Sequence, residues 1–229
     1  MKGKLIVIDG SDGSGKGTQT KLLVDYLKIN GKKVLMLDFP RYGKPSAYFA
    51  EKYLNGGYGA ASQVSPKLAS LFYSLDRFDA KKELIEALDN GTIVVSNRYV
   101  SANAGHQGGK IKDAKKRNEF LDWLNYLEYD ICGLPRPDVK IYLYVPHEIG
   151  QTLVDKKGHR EYVGGIKRDI HESDKNHLKN TESCYIYLTK KEKGWSKIDC
   201  MKNNNLLSIE EVHNKIINIK DIRKIISKK

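Results

Sequence analysis

The chain has 229 residues and a mass of 26.0 kDa, with a formal charge of +12 and a pI near 9.4. That length can bury a sizeable core, so one α/β domain over residues 1–229 is expected, and no apolar run is long enough to cross a bilayer. Three widely spaced cysteines, Cys132, Cys184 and Cys200, make no metal-ligand pattern, and the first strand begins almost at once. A reducing, cytoplasmic setting without a signal peptide is therefore expected. The basic surplus is spread along the chain and into a Lys/Ile-rich tail over 216–229. No basic block interleaves with aromatics, so it reads as solvated faces that steer anions, with neither a nucleic-acid nor a membrane partner.

Lys4-Leu5-Ile6-Val7-Ile8-Asp9 is a short β-branched run, which predicts a buried strand. Leu22, Leu23, Tyr26 and Leu27 share a face of the helix after it. Between them lies Gly10-Ser11-Asp12-Gly13-Ser14-Gly15-Lys16-Gly17-Thr18. A glycine-rich loop from strand to helix turns backbone N–H groups inward, and Lys16 adds a full positive charge, which predicts a phosphate-binding loop. Gly17 stands where a Ser or Thr hydroxyl normally holds magnesium, and Thr18 is the nearest substitute.

Strand-like and helical runs then alternate, predicting a parallel sheet covered on both faces. Further strands are expected over 33–38, 92–96, 139–145 and 195–200. Helices are expected over 46–55, 66–90, 114–129, 148–156, 170–191 and 208–219, with Gly31 ending the first helix and Ser208 and Glu211 forming a capping box. Ligands of such sheets sit beyond the carboxyl ends of the strands, and the chemistry-bearing residues gather there. The second strand runs into Phe39-Pro40-Arg41-Tyr42, where Arg41 offers a planar fork and Tyr42 a hydroxyl. A proline turn with exposed polar residues accounts for that segment equally well. Tyr73 and Arg77, four apart on one helix face, make an aromatic platform with an adjacent guanidinium, suited to a base, although taken alone a core Tyr and a surface Arg account for the pair better. The third strand leads to Asn97 and Arg98, a natural phosphate clamp. A helix starting near Ser101 puts Asn103, His106 and Gln107 on one face. Residues 156–169 carry glycines and many cations, which reads as a basic lid.

Taken together, these segments resemble thymidylate kinase, a nucleoside monophosphate kinase family of the P-loop superfamily. The resemblance covers essentially the whole chain. It is carried by Asp9–Lys16, Phe39–Gly43, Tyr73-Ser74-Leu75-Asp76-Arg77, Asn97-Arg98-Tyr99 with Asn103 and His106, Val145-Pro146, Asp169-Ile170-His171-Glu172 and Ile198-Asp199-Cys200. It implies a three-layer P-loop kinase fold, a five-stranded parallel sheet between helices, with an acceptor segment over about 39–77. It implies transfer of a phosphoryl group from ATP, with Mg2+, to dTMP, and a homodimer.

Residue by residue, the resemblance implies that Lys16 binds the ATP phosphates within the loop Gly10–Thr18. Asp12 lies near the acceptor's 3′-hydroxyl and the metal, with Thr18, Asp9 and Asn97 as further metal contacts. Tyr42 and Arg98 match positions that hold the acceptor phosphate. Tyr73 stands where the family stacks an aromatic ring on thymine, Arg77 and Asn103 match the residues that read its edge, and His106 falls where a Tyr crowds the 2′ position. Gly13, where some members carry arginine, implies that the lid supplies catalytic cations, with Arg160 and Arg168 as candidates. Three positions depart from the pattern: Asn97 for the usual Asp, Gly17 for Ser or Thr, and His106 for Tyr. Another pyrimidine nucleotide or deoxynucleoside as acceptor, or a P-loop switch or nucleic-acid-binding protein without transfer, are the alternatives at this point.

Overall fold

The computed structural model describes residues 2–155, 170–171 and 174–227. Its five-stranded sheet is parallel throughout, in the order β2-β3-β1-β4-β5. The strands are β1 (Lys4–Gly10), β2 (Val34–Asp38), β3 (Ile93–Asn97), β4 (Val139–Tyr144) and β5 (Trp195–Asp199). Central β1 shows why an unbroken apolar run was required. Leu5 and Val7 point into one core with Val94 and Tyr142, whereas Ile6 and Ile8 point into the other with Val95, Ile141 and Leu143. A strand covered on both faces has no polar side to alternate with.

Helices close both faces. On one, α4 (Lys81–Asp89), α5 (Val100–Gly108), α6 (Ala114–Asn125) and α8 (Lys175–Lys191) contribute Leu84, Val100, Leu124 and Tyr185. On the other, α1 (Lys16–Ile29), α9 (Ile209–Ile217) and α10 (Lys220–Ser227) contribute Leu23, Leu27, Ile216 and Ile222. A third, smaller cluster of Ala50, Tyr53, Ala69 and Phe72 joins α2 (Tyr48–Leu54) to α3 (Pro66–Asp79). The remaining α-helix among the described residues, α7 (His147–Asp155), follows β4, and a hairpin of β6 (Met201–Lys202) and β7 (Asn205–Leu206) follows β5.

Three expected helices change, and so does the tail. The long helix over 66–90 is two, α3 and α4, broken at Ala80, whose ψ of −8° is well off the helical value. The cause is Arg41. Its Nη2 donates to the Asp76 carbonyl at 2.9 Å, and the Ala80 N–H bond to that same carbonyl lengthens to 3.3 Å. The helix expected to start at Ile170 starts at Lys175, because the Asp174 carboxylate accepts from the His177 N–H at 3.0 Å and caps it. The helix expected to end at Tyr129 is α-helical only to Asn125, and Tyr126–Ile131 is wound as a π-helix. The Lys/Ile-rich tail is not merely solvated: α10 buries Ile222 against the second core. The Ser208–Glu211 capping box forms as expected, with reciprocal bonds of 3.1 and 2.7 Å.

Candidate active site

The loop between β1 and α1 is shaped by its glycines. Gly13 and Gly15 have φ of 82° and 79°, the left-handed region. A β-carbon on Gly13 would overlap the carbonyl of Gly150, because the first turns of α7 pack directly on the loop. No side chain fits at position 13, so a loop arginine is sterically excluded here. Lys16 lies nearly buried across the loop, its Nζ 3.2 Å from both the Ser11 carbonyl and Asp12 Oδ1.

Asp12 Oδ1 also accepts from Arg98 Nη2, so one carboxylate oxygen holds two cations. Burial opposes ionisation of Asp12, but Lys16 and Arg98 outweigh it and hold the carboxyl well below the usual range. Arg98 reaches this position from a left-handed backbone, φ 64°, fixed by its N–H on the Ile8 carbonyl at 3.0 Å and the Ser96 hydroxyl on its own carbonyl at 2.6 Å. On its other side, Arg98 Nη1 lies 3.1 Å from His106 Nε2. Burial, reinforced by Arg98, keeps His106 neutral well below the ordinary histidine range. Since a guanidinium only donates, His106 Nε2 accepts, and its proton sits on Nδ1, facing His177 Nε2 at 3.3 Å. His171 stacks on His177 with ring centroids 4.2 Å apart.

Two concavities meet at this ion-paired seam. One is lined by Gly13, Gly15, Lys16, Gly17 and Thr18 together with Asp38, Asn97, Leu153 and Val154. The other is lined by Leu54, Tyr73, Arg77, Ala102, Asn103, His106, Gln107 and His171. Asp12, Phe39, Pro40, Tyr42 and Arg98 line both. Within the second, Arg77 is buried against Glu128, with Nε 3.0 Å from Oε2 and Nη2 on Oε1. Gln107 is fully buried, and neither polar atom of its amide has a hydrogen-bond partner among the described residues.

The sequence-predicted residues thus converge, with exceptions. Arg41 lines neither concavity. Its guanidinium is spent on Asp76, Asp79 and Ser46, tying the loop after β2 to α3. Asp9 is fully buried, and its carboxylate accepts from Ser101 Oγ and, at 3.3 Å, from the Tyr185 hydroxyl. Burial raises its pKa. Arg160 and Arg168, with the lid over 156–169, lie outside the described residues. Sequence reasoning missed Asp38, whose Oδ1 takes the Asn97 amide at 2.8 Å beside Gly17, and also Glu128, His171 and His177. Asp38 carried a signal, being the carboxylate at the very end of a strand. Glu128 carried none that sets it apart, since Asp122 and Asp130 stand in the same aromatic and leucine run.

A family model described as thymidylate kinase matches residues 8–216. The chain is 31% identical to the thymidylate kinase of Plasmodium falciparum over 228 residues, 98% of this chain and 91% of that one. It is also 31% identical to the thymidylate kinase of Mycobacterium tuberculosis over 193 residues, covering 83% and 87% of the two chains. Identity to the human thymidylate kinase is 28% over 221 residues, or 94% and 88%. Among solved structures, a thymidylate kinase from Candida albicans superposes with a TM-score of 0.72 at 20% identity, covering 99% of this chain and 94% of that one, a likeness of fold. The family match takes in the end of β1, the loop, both walls of the cleft and nearly all of α9, and the chain belongs to the thymidylate kinase family.

Proposed function

We propose that the protein transfers the γ-phosphoryl group of ATP to the 5′-phosphate of dTMP, giving dTDP and ADP. ATP phosphates take the side of loop Gly10–Thr18, and dTMP takes the side of Tyr73, Arg77, Asn103 and Gln107. The observation that carries this reading is the seam: both concavities share Asp12 and Arg98, and Lys16 is anchored to the same carboxylate oxygen. An acceptor phosphate is already ionised at neutral pH and needs no general base. The work left to the protein is to align two anions and neutralise their charge. Lys16 and Arg98 do this from opposite sides of the seam, and His106 steadies Arg98 from behind without adding charge. Tyr73 offers its ring to the base, and the buried amide of Gln107 gains partners when a base lies against it.

Mg2+, when bound, neutralises charge on the ATP phosphates. The donors lining the loop side suit a hard cation: the Thr18 hydroxyl, the Asp38 carboxylate and the Asn97 amide, whose Oδ1 is buried without a hydrogen-bond partner among the described residues. Asp9 is not in this set, since Ser101 and Tyr185 occupy its carboxylate. In this reading, Arg160 and Arg168 of the basic lid complete the charge over the transferring group and help exclude water. A second copy of the chain pairs along α3, where Leu68, Leu71, Leu75 and Phe78 form an exposed stripe on the side away from Tyr73 and Arg77. No described helix is long and apolar enough to cross a membrane, and the described cysteines are free thiols. We place the enzyme in the cytoplasm, acting on small nucleotides, without a nucleic-acid or membrane partner.

The test is ADP release with dTMP, dUMP, dCMP, dGMP or AMP as acceptor. Turnover with dTMP and formation of dTDP are expected. ATP cleavage without phosphorylation of any monophosphate would overturn the reading.

A further inference from the structure

We propose that Glu128 is a positioning residue that sets the base preference of the acceptor pocket, by fixing which hydrogen-bonding atoms Arg77 and Asn103 have left for the base. This rests on the reading of that pocket as the dTMP site. Glu128 lies in the π-wound segment after α6 and is wholly buried. Its carboxylate collects donors from two elements. Arg77 gives Nε at 3.0 Å and also Nη2, Ser74 gives its hydroxyl at 2.7 Å, and Asn103 gives Nδ2 at 3.4 Å. Asn103 Nδ2 also donates to the Ser70 carbonyl at 3.0 Å.

Both amide hydrogens of Asn103 are thus spent on α3 and Glu128. Its Oδ1, an acceptor only, is what remains for the pocket that Asn103 lines. Arg77 gives Nε–H and one Nη2–H to the carboxylate, so what it has left for the same pocket is donors only, on Nη1 and the second Nη2 hydrogen. A donor beside an acceptor complements a carbonyl beside a ring N–H, the O4 and N3–H of thymine or uracil. It opposes cytosine, whose exocyclic amine donates and whose N3 accepts. Leaving buried polar groups mispaired is what makes such discrimination large.

The carboxylate makes this arrangement one-way because it only accepts. A neutral amide at position 128 offers a donor as well, so Asn103 loses one of the two acceptors that hold its amine away from the base and keeps only the Ser70 carbonyl. The preference for a 4-oxo over a 4-amino pyrimidine therefore begins at a residue that does not touch the substrate.

The experiment measures kcat/KM for dTMP and dCMP at saturating ATP in the wild-type chain and in Glu128→Gln, Glu128→Asp and Ser74→Ala. Glu128→Gln is expected to lower the dTMP/dCMP ratio at least tenfold, through KM for dTMP, with KM for ATP unchanged. Glu128→Asp, which keeps an acceptor-only group, should retain most of the ratio. A Glu128→Gln enzyme that loses both activities by the same factor overturns the proposal, since a purely structural role lowers them together. Should that variant fail to fold by circular dichroism, Ser74→Ala decides: a two- to fivefold fall in the ratio supports the proposal, and an unchanged ratio overturns it. A wild-type chain with no preference for dTMP over dCMP removes the reading of the pocket itself. Discrimination that survives Glu128→Gln removes only the role of Glu128.

Discussion

At the scale of single residues, the seam is governed by one oxygen, Asp12 Oδ1, which holds Lys16 and Arg98 together. Two cations this close are costly without an anion between them, and bound phosphates take over that role. Arg98→Ala is expected to raise KM for dTMP and to lower kcat, with a combined loss of about 10²-fold or more, typical of removing a donor aimed at developing charge. Steady-state kinetics check it, and unchanged acceptor affinity with normal turnover would refute the clamp. The histidines behind Arg98 give a second expectation. Burial, reinforced by Lys110 and opposed by Asp174 and Asp12, lowers the pKa of His177 to about 4, and burial holds His106 and His171 well below their ordinary value. The unfolded chain therefore binds protons that the native chain does not, and stability must fall as the medium is acidified. For His177 the loss begins near pH 6.5 and levels off near pH 4, at no more than about 1.4 kcal/mol per pH unit. Urea unfolding at a series of pH values should show this slope, reduced in His177→Gln.

At the scale of elements, the contact between the phosphate loop and α7 sets the loop's shape. Gly13 combines φ of 82° with an overlap against the Gly150 carbonyl for any β-carbon, whereas Gly31, at φ 75°, has open space around it. Gly13→Ala and Gly31→Ala share the cost of a left-handed backbone, about 1–2 kcal/mol. Only Gly13→Ala must also push α7 off the loop. It should lower the thermal midpoint further than Gly31→Ala and weaken ATP binding at least tenfold, while Gly31→Ala leaves ATP binding intact. Thermal scans and nucleotide titrations separate the two. The break between α3 and α4 is likewise an event between elements, since Arg41 pulls on a carbonyl of α3 from the loop after β2.

At the scale of the whole molecule, α3 presents two different surfaces on opposite sides. Tyr73 and Arg77 face the pocket, and Leu68, Leu71, Leu75 and Phe78 remain exposed. Were a second copy to pair there as proposed, that stripe would be withdrawn from water and the helix bearing Tyr73 and Arg77 would be braced. Leu71→Glu with Leu75→Lys is expected to turn a dimer into a monomer in sedimentation equilibrium and to raise KM for dTMP more than KM for ATP. A wild-type chain that sediments as a monomer at micromolar concentration would refute the pairing.

What the sequence determined by itself was local. The β-branched run before a glycine loop, the Tyr73–Arg77 pair at helical spacing, and the Asn97–His106 segment after a strand each carry their chemistry within a few neighbouring residues. That was enough for the parallel sheet, the cleft at its carboxyl edge and most of the residues around it. Arg41 shows the limit: a guanidinium after a proline turn fits a phosphate or a salt bridge equally, and only the arrival of Asp76 and Asp79 from α3 commits it to structure. Glu128 and His177 show the same limit from the other side. They meet Arg77 and His106 across 51 and 71 residues of chain, a meeting decided by how α6, its π-wound extension and α8 pack over the sheet. Periodicity fixes which face of a helix is buried, but not which buried partner it finds. The partner, and with it the orientation of every donor and acceptor in the pocket, is a property of the tertiary fold.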